Sequence, residues 1–140
     1  MKRFTSIALF AIATLASAGP ALAWEPGAQA NVPFDFTVGD KVLPSGTYYI
    51  APLSFGVLKI QSKDGQSRML ITTVGDGQES RNGDKLVFHK YGHKYFLSEV
   101  LCKNSGMNVA IPRSKLEKRV QDQEAQLQSQ SASTVLVAVK

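Results

Sequence analysis

The sequence predicts a mainly β protein, an antiparallel meander that forms a sandwich or small barrel of about seven or eight strands with one C-terminal helix. Glycines recur at intervals of 7 to 14 residues, and the runs between them are rich in Val, Ile, Phe, Tyr and Thr. Turn residues spaced in this way between β-prone runs are typical of such folds. After Gly106 the glycines stop and the pattern becomes that of a helix. The glycines that set these intervals are Gly39, Gly46, Gly56, Gly65, Gly75, Gly83, Gly92 and Gly106.

Strict alternation of apolar and polar residues predicts a half-buried strand over residues 32–38. Pro33 cannot donate a ladder hydrogen bond, which indicates an edge position or a strand start. Turn residues at 39–41 and 43–47 follow, and the next strand is expected over residues 48–53. The apolar residues that would share the buried face of the first strand are Val32, Phe34, Phe36 and Val38.

A hairpin is predicted around Asp64-Gly65, a dipeptide that favours a two-residue type I′ turn. This turn would pair Lys63 with Gln66. Counting outward from it, the apolar residues fall on one face of the ribbon, so turn chemistry and hydrophobic pattern agree on one register. The expected pairs are Ile60 with Met69, Leu58 with Ile71, Gln61 with Arg68, and Lys59 with Leu70.

A second hairpin is predicted over residues 85–90 and 94–102, with Tyr91-Gly92 as its turn. Phe88 would then lie opposite Tyr95, and Leu86 opposite Leu97. The polar stretch before it, residues 75–84, is expected to be a loop. A further short strand is predicted over residues 107–111.

A helix is predicted from about residue 115 to about residue 128. Ser114 and Glu117 have the spacing of a capping box, in which Ser114 caps the first turn and the Glu117 side chain reaches back to it. Leu116, Val120 and Leu127 form a thin apolar stripe at helical spacing. A final strand is expected over residues 134–139.

The chain begins with a segment typical of a secretory signal peptide. Residues 2–3 are cationic, residues 4–18 are apolar apart from Thr and Ser, and Gly19-Pro20 precedes the small-x-small sequence Ala21-Leu22-Ala23. The alternative, an uncleaved anchor, is disfavoured because the apolar core is shorter than the roughly 20 residues that a span needs. We therefore expect residues 1–23 to be removed near Ala23.

The composition indicates a single globular β-rich domain over residues 24–140, in the periplasm or outside the cell. The 140 residues include 16 Lys+Arg and 11 Asp+Glu, a net charge of +5. Loss of Lys2 and Arg3 with the signal peptide lowers this to +3, a weak bias that does not indicate a nucleic-acid partner. Cys102 is the only cysteine, so no internal disulfide can form. Its apolar surroundings in sequence predict a buried thiol; the alternative is a disulfide to a partner.

His89 and His93 have the H-x3-H spacing of a metal pair on a helix. In the predicted hairpin, however, His89 would pair with Lys94 and His93 with Lys90, so the imidazoles would point to opposite faces. The neighbouring lysines also disfavour a cation. We therefore expect two exposed histidines, no metal site and no cofactor.

No catalytic residue is predicted with a defined role. The sequence contains neither a G-x-S-x-G nucleophile elbow nor a phosphate-binding glycine loop. Paired carboxylates for acid–base chemistry would have to come from Asp35 and Glu99, each of which is more simply a surface acid.

A binding surface is predicted at the start of the helix, where Arg113, Lys115, Lys118 and Arg119 place four cations in seven residues. Cations oppose the helix dipole at this end, which prefers anions. The sequence shows no structural reason for this unfavourable placement of cations, which suggests an anionic partner, such as lipid or a cell-surface polymer. The alternative is an ordinary solvated helix face.

Four stretches of the chain, residues 32–39, 43–48, 94–100 and 114–117, resemble small exported bacterial proteins of unknown function, best known from acidobacteria. Together they extend over most of the chain after residue 23. The resemblance implies an exported β domain and assigns an activity to no residue. Members of that group often have Trp after Glu-Val, where this chain has Leu101-Cys102, so the resemblance gives Cys102 no role.

These features favour an exported, non-enzymatic β domain with a binding or structural role at the cell envelope. One alternative is a small envelope hydrolase that uses Asp35 or Glu99 with a histidine. Another is a strand-exchanging oligomer, in which residues 134–139 pair with the sheet edge of a neighbouring copy.

Overall fold

The computed structural model describes residues 27–75, 83–127 and 133–140, which form ten strands and one α-helix. The predicted mainly β class is therefore confirmed, with two strands more than the upper expectation. The expected signal peptide, most of the loop at 75–84 and the linker before the last strand lie outside the described residues. The elements are β1 Ala28–Val32, β2 Phe36–Val38, β3 Lys41–Leu43, β4 Gly46–Ser54, β5 Val57–Ser62, β6 Arg68–Thr72, β7 Lys85–Tyr91, β8 Lys94–Cys102, β9 Met107–Ala110, α1 Lys115–Gln126 and β10 Ser133–Ala138.

The strands form two sheets that face each other as a sandwich rather than a closed barrel. The first sheet has the order β1-β4-β5-β6; the second has the order β10-β7-β8-β2-β3, with β9 also paired to β8. The expected meander is present as the antiparallel runs β4-β5-β6 and β7-β8-β9, whereas β2 runs parallel to β8. Isolated bridges between Ala30 and Val139 and between Val74 and Ala110 connect the two sheets at their margins.

The core lies between the sheets and is centred on aromatic rings. Phe36 makes edge-to-face contacts with Tyr48 at 5.1 Å and with Phe88 at 5.5 Å between ring centroids. Phe34 packs against Phe88 in the same way at 5.3 Å and stacks on Tyr95. Such pairs contribute beyond the area that they bury. The aliphatic residues around them include Val32, Leu43, Ile50, Ile60, Leu86 and Val100, all 0 to 1% exposed.

The predicted strand over residues 32–38 is two strands, one in each sheet. The faces were predicted correctly, because Val32, Phe36 and Val38 are buried and Phe34 packs against the core. The prediction of one continuous strand was wrong, because the chain passes from the first sheet to the second at residues 33–35. Pro33 supplies no N–H for a ladder there, and Asp35 accepts a hydrogen bond from the N–H of Ser45 at 2.7 Å.

The register of the β5–β6 hairpin is confirmed at all four predicted pairs. Its turn is wider than predicted. The N–H of Gly65 donates to the carbonyl of Ser62, the N–H of Ser62 donates to the carbonyl of Ser67, and Lys63 donates to Thr47 of β4 instead of pairing with Gln66. Gly65 has φ of +74°, a conformation that favours glycine.

The β7–β8 hairpin is present, but its turn is Gly92-His93 and not Tyr91-Gly92. The pairing is displaced by two residues, so Phe88 lies opposite Leu97 and the predicted faces are retained. A bulge at Ser98 then places Leu86 opposite Val100. A displacement of two preserves the alternation of faces, which explains why the hydrophobic pattern did not reveal it.

The last strand, β10, pairs antiparallel with β7 of the same chain at six positions from Ser133 to Ala138. Val137 is buried in the core, and Val135 and Val139 pack against it. Among the described residues, no helix is both long and apolar enough to cross a membrane.

The central ring in the core, Phe88, offers a direct test of the packing. Phe88→Ala should lower the free energy of unfolding by about 3–5 kcal/mol, because it leaves a cavity between the sheets that the backbone cannot fill. Equilibrium urea denaturation measures the change. The matched control is Phe55→Ala, which removes the same atoms from a fully exposed position. Equal losses in the two variants would contradict this description of the core.

Candidate functional site

The helix α1 begins at the predicted cap. The Ser114 hydroxyl accepts a hydrogen bond from the backbone N–H of Glu117 at 3.1 Å, which satisfies one of the free donors of the first turn. The helix ends at Gln126, two residues before the expected end. Leu127, predicted to belong to the apolar stripe, is exposed, so only Leu116 and Val120 of that stripe contact the sheet.

The helix packs on the outer face of the second sheet, away from the main core. Val120 and Leu116 contact Tyr91 and Phe96 there, and these four residues form a small second cluster. At the end of β7, Gly92 lies so close to the helix that an added Cβ would be 2.9 Å from the Glu124 carboxylate. The side of α1 that faces the sheet is therefore fixed by apolar contact, with the Glu124 side chain lying against the backbone of Gly92.

The carboxylate of Glu117 lies at this interface and is 4% exposed. Its Oε1 is 2.8 Å from Nδ1 of His89 and accepts a hydrogen bond from the Tyr91 hydroxyl at 3.3 Å. Nε of Arg113 lies 4.0 Å from the same oxygen. We call these four residues the Glu117 cluster. A buried carboxylate needs such partners, because burial without them costs far more than it returns.

The predicted capping box is therefore only half correct. Ser114 caps the helix as expected, but the Glu117 side chain points to the sheet and not back to Ser114. Burial of Tyr91 and the charge of Glu117 both raise the pKa of the tyrosine hydroxyl, which remains a donor. The only sequence signal for this contact is that His89 and Tyr91 are two apart on one strand and so share a face.

The four predicted binding residues, Arg113, Lys115, Lys118 and Arg119, are all exposed. The Arg113 side chain contacts the helix, since its guanidinium donates a hydrogen bond to Oε1 of Gln121 at 3.2 Å. Among the described residues, the side chains of the other three make no hydrogen bond or ion pair. With 3.6 residues per turn they share the solvent side of α1. We call the four residues the basic face.

The two histidines have different surroundings. His89 is on β7, in the Glu117 cluster, with 26% of its side chain exposed. His93 is an exposed residue of the β7–β8 turn, so the predicted pairing with Lys90 was wrong. The described part of the chain contains no group of three or more His, Cys, Asp and Glu side chains that could hold a metal ion.

The two acids considered for catalysis are not brought to a histidine. Asp35 accepts the N–H of Ser45 in the turn before β4. Glu99 lies on β8, opposite Val87 on one side and Ala110 on the other. Within the described residues, the carboxylate that contacts an imidazole is Glu117, which the sequence placed in a cap.

Cys102 is a fully buried free thiol at the end of β8, in agreement with the predicted state. Burial, with a smaller contribution from the charge of Asp84, raises the pKa of the thiol from 9.0 to about 12. Because the thiolate is the reactive form, this environment keeps Cys102 inert. A disulfide to a partner, the alternative from the sequence, would require the end of β8 to open.

Comparison with known proteins adds no identity: no family model, no curated protein and no solved structure matches the chain.

Replacing Glu117 tests whether the buried carboxylate holds the helix on the sheet. Glu117→Ala should lower the free energy of unfolding by about 1–3 kcal/mol, because it leaves His89 and Tyr91 without their acceptor. Glu117→Gln should recover part of the loss, since an amide oxygen can still accept. Urea denaturation measures both. Asp122→Ala, at an exposed position of the same helix, should change stability by less than about 0.5 kcal/mol. An unchanged Glu117→Ala protein would show that the cluster does not anchor α1.

Cys102 should not react with a thiol reagent at pH 8 until the protein is unfolded in urea. Its ionisation also predicts a pH dependence. Above about pH 9 the unfolded chain loses the thiol proton while the folded chain keeps it to about pH 12, so stability falls as pH rises through this interval. Cys102→Ala has no thiol to ionise and should lose less stability over the same interval. Rapid alkylation of the native protein would contradict the buried position.

Proposed function

We propose that the chain is an exported, non-enzymatic β domain that binds a polyanionic surface of the cell envelope through the basic face of α1. The observation that carries the proposal is the state of Lys115, Lys118 and Arg119. They are exposed on one side of a helix whose other side is fixed to the sheet, and none of them has an anionic partner among the described residues.

The position of these cations within the helix supports the proposal. Three of the four residues, Arg113, Lys115 and Lys118, lie beside or within the first turn, where the helix dipole favours anions and disfavours cations. The acid of that turn, Glu117, is turned inward, where it lies 4.0 Å from Nε of Arg113, and among the described residues it makes no ion pair with Lys115 or Lys118. The unfavourable field at the start of α1 would be relieved by an anionic surface placed against it.

The charge arrangement sets the expected strength and salt dependence. Each Lys or Arg close to an anionic membrane surface contributes about 1 kcal/mol, and the attraction falls off within a Debye length of about 10 Å at 0.1 M salt. Because three cations of the basic face lie on α1 and Arg113 directly precedes the cap of that helix, the four can approach a flat surface together. Binding should therefore be measurable at low ionic strength and be lost as salt is added.

Export places the domain where such a surface is available. The proposal takes residues 1–23 as a signal peptide, from their cationic start, apolar middle and small-x-small end. The resemblance to small exported bacterial proteins points to the same location. A phosphate-rich lipid surface and an acidic cell-wall polymer offer the same chemistry to the basic face.

The two alternative functions have less support. A hydrolase that uses Asp35 or Glu99 would need one of these acids beside a histidine, and the described residues do not place either there. A strand-exchanging oligomer would need β10 on a neighbouring copy, whereas β10 pairs with β7 of its own chain at six positions.

Vesicle binding tests the proposal. The chain should co-sediment with phosphatidylglycerol vesicles at low salt and not with phosphatidylcholine vesicles, and addition of salt should release it. Lys118→Gln with Arg119→Gln should weaken the low-salt binding about tenfold. The double variant loses two contributions to binding of about 1 kcal/mol each, and the remaining cations of the basic face compensate for part of that loss. An isolated acidic cell-wall polymer provides the second arm and distinguishes polymer from lipid.

The matched control is Arg68→Gln with Lys103→Gln, which removes the same two residue types from exposed positions outside α1. If the control pair weakens binding as much as the helix pair, net charge and not the basic face is responsible. Absence of binding to both surfaces at low salt would overturn the proposal.

A further inference from the structure

A cleft of about 530 Å³ opens between the turn before β4 and the β5–β6 turn. Residues 44–48 form one wall, and residues 62–64 with Gln66 and Ser67 form the other. The cleft is formed by strand ends and is separate from α1, whose residues do not line it. Its volume lies within the range of small-molecule sites, about 300–1,000 Å³.

One carboxylate in the cleft is held in a fixed orientation. Asp64 accepts hydrogen bonds from the Ser62 hydroxyl and, at 3.0 Å, from the N–H of Gln66. These hydrogen bonds lower the pKa of Asp64, so the group is an ionised acceptor. The Ser62 hydroxyl in turn accepts from the N–H of Ser67, and the N–H of Ser62 donates to the carbonyl of Ser67, which makes the turn rigid. A carboxylate that is already oriented can bind a donor with little further ordering.

The Tyr48 hydroxyl, although Tyr48 lines the cleft, is not free to bind a ligand. The Tyr48 hydroxyl is buried and donates to the carbonyl of Pro44 at 2.6 Å. Burial and the charges of Asp64 and Asp35 raise the pKa of Tyr48, so its hydroxyl stays neutral. Because Tyr48 is only 1% exposed, the carbon surface of the cleft is that of Pro44, an exposed residue of its wall.

The free groups are at the rim. Among the described residues, the hydroxyls of Ser45 and Thr47, the ammonium of Lys63 and the side-chain amide of Gln66 make no hydrogen bond. They offer donors and acceptors in the same cleft as Asp64 and the exposed ring of Pro44. We propose that this cleft binds a neutral, hydroxyl-rich ligand, a sugar unit, whose C–H face packs on Pro44 and whose hydroxyls bond to Asp64 and the rim.

Other ligand classes match the cleft less well. The negative charges of Asp64 and Asp35 both raise the pKa of Tyr48, which lines the cleft, and the same charges repel an anionic ligand. Lys63 at the rim counteracts a simple cation, and the described residues hold no acid triad for a metal ion. A wholly apolar ligand would bury the ionised Asp64 carboxylate with no donor beyond the two of its own turn, which is costly. A sugar hydroxyl supplies a further donor to Asp64 as a charge-assisted hydrogen bond.

Titration with cellobiose, maltose and N,N′-diacetylchitobiose, each followed by backbone amide shifts of the ¹⁵N-labelled chain, tests the proposal. At least one disaccharide should bind with a dissociation constant in the millimolar range and shift the amides of Gly46, Lys63 and Gly65. Asp64→Asn keeps an oxygen that can accept from Ser62 and Gln66, so the turn is retained. It should weaken binding roughly five- to tenfold, the difference between a charged and a neutral acceptor.

Gln66→Trp should abolish the binding by filling the cleft from an exposed turn position. The matched control, Gln123→Trp on the solvent side of α1, should leave it unchanged. If no disaccharide binds, or if Gln66→Trp binds as tightly as the unaltered chain, the proposal is wrong. Vesicle binding should be the same in the Gln66→Trp variant, so the cleft and the basic face are tested independently.

Discussion

The fold depends on burial of the two facing apolar surfaces of the sandwich. Every second residue of the central strands has to point into one shared layer, and the rings of Phe36, Tyr48 and Phe88 fill its centre. The same requirement explains the crossing at Pro33. The chain changes sheets there, and yet Val32 and Phe36 both remain on the inside. Alternation is thus conserved across a break in the strand, because the core constrains the side chains more strongly than the ladder constrains the backbone.

Burial in the core leaves the outer face of the second sheet to be covered, and α1 covers it. Val120 contributes apolar contact, but a helix with so few apolar residues gains little from burial alone. Glu117 adds a polar anchor, because its carboxylate satisfies donors from His89 and Tyr91 that would otherwise face the underside of the helix. The helix is consequently held by its first two turns, and the cations of those turns are held outward with it.

Local patterns in the sequence were sufficient for the features that neighbours along the chain determine. The Asp64-Gly65 dipeptide and the alternation beside it predicted the four strand pairs of the β5–β6 hairpin from Leu58 to Gln61 correctly, and Ser114 marked the start of α1. Features that depend on distant contacts could not be predicted. The bulge at Ser98 accompanies a hydrogen bond from the N–H of Ile111, and the Glu117 side chain leaves its expected cap for partners 26 and 28 residues away.

One local feature that was predicted too simply, the β5–β6 turn, also forms one wall of the cleft. A two-residue turn would have used the backbone of Lys63 and Gln66 to pair with each other. Instead Lys63 bonds to Thr47 of the neighbouring strand, and the Asp64 side chain takes the N–H of Gln66. The loop is thereby widened to four residues and tied to β4, so its side chains face the turn at residues 44–47 across open space. The cleft is thus a consequence of hydrogen bonding by Asp64, and the same carboxylate remains available to a ligand through its outer lone pairs.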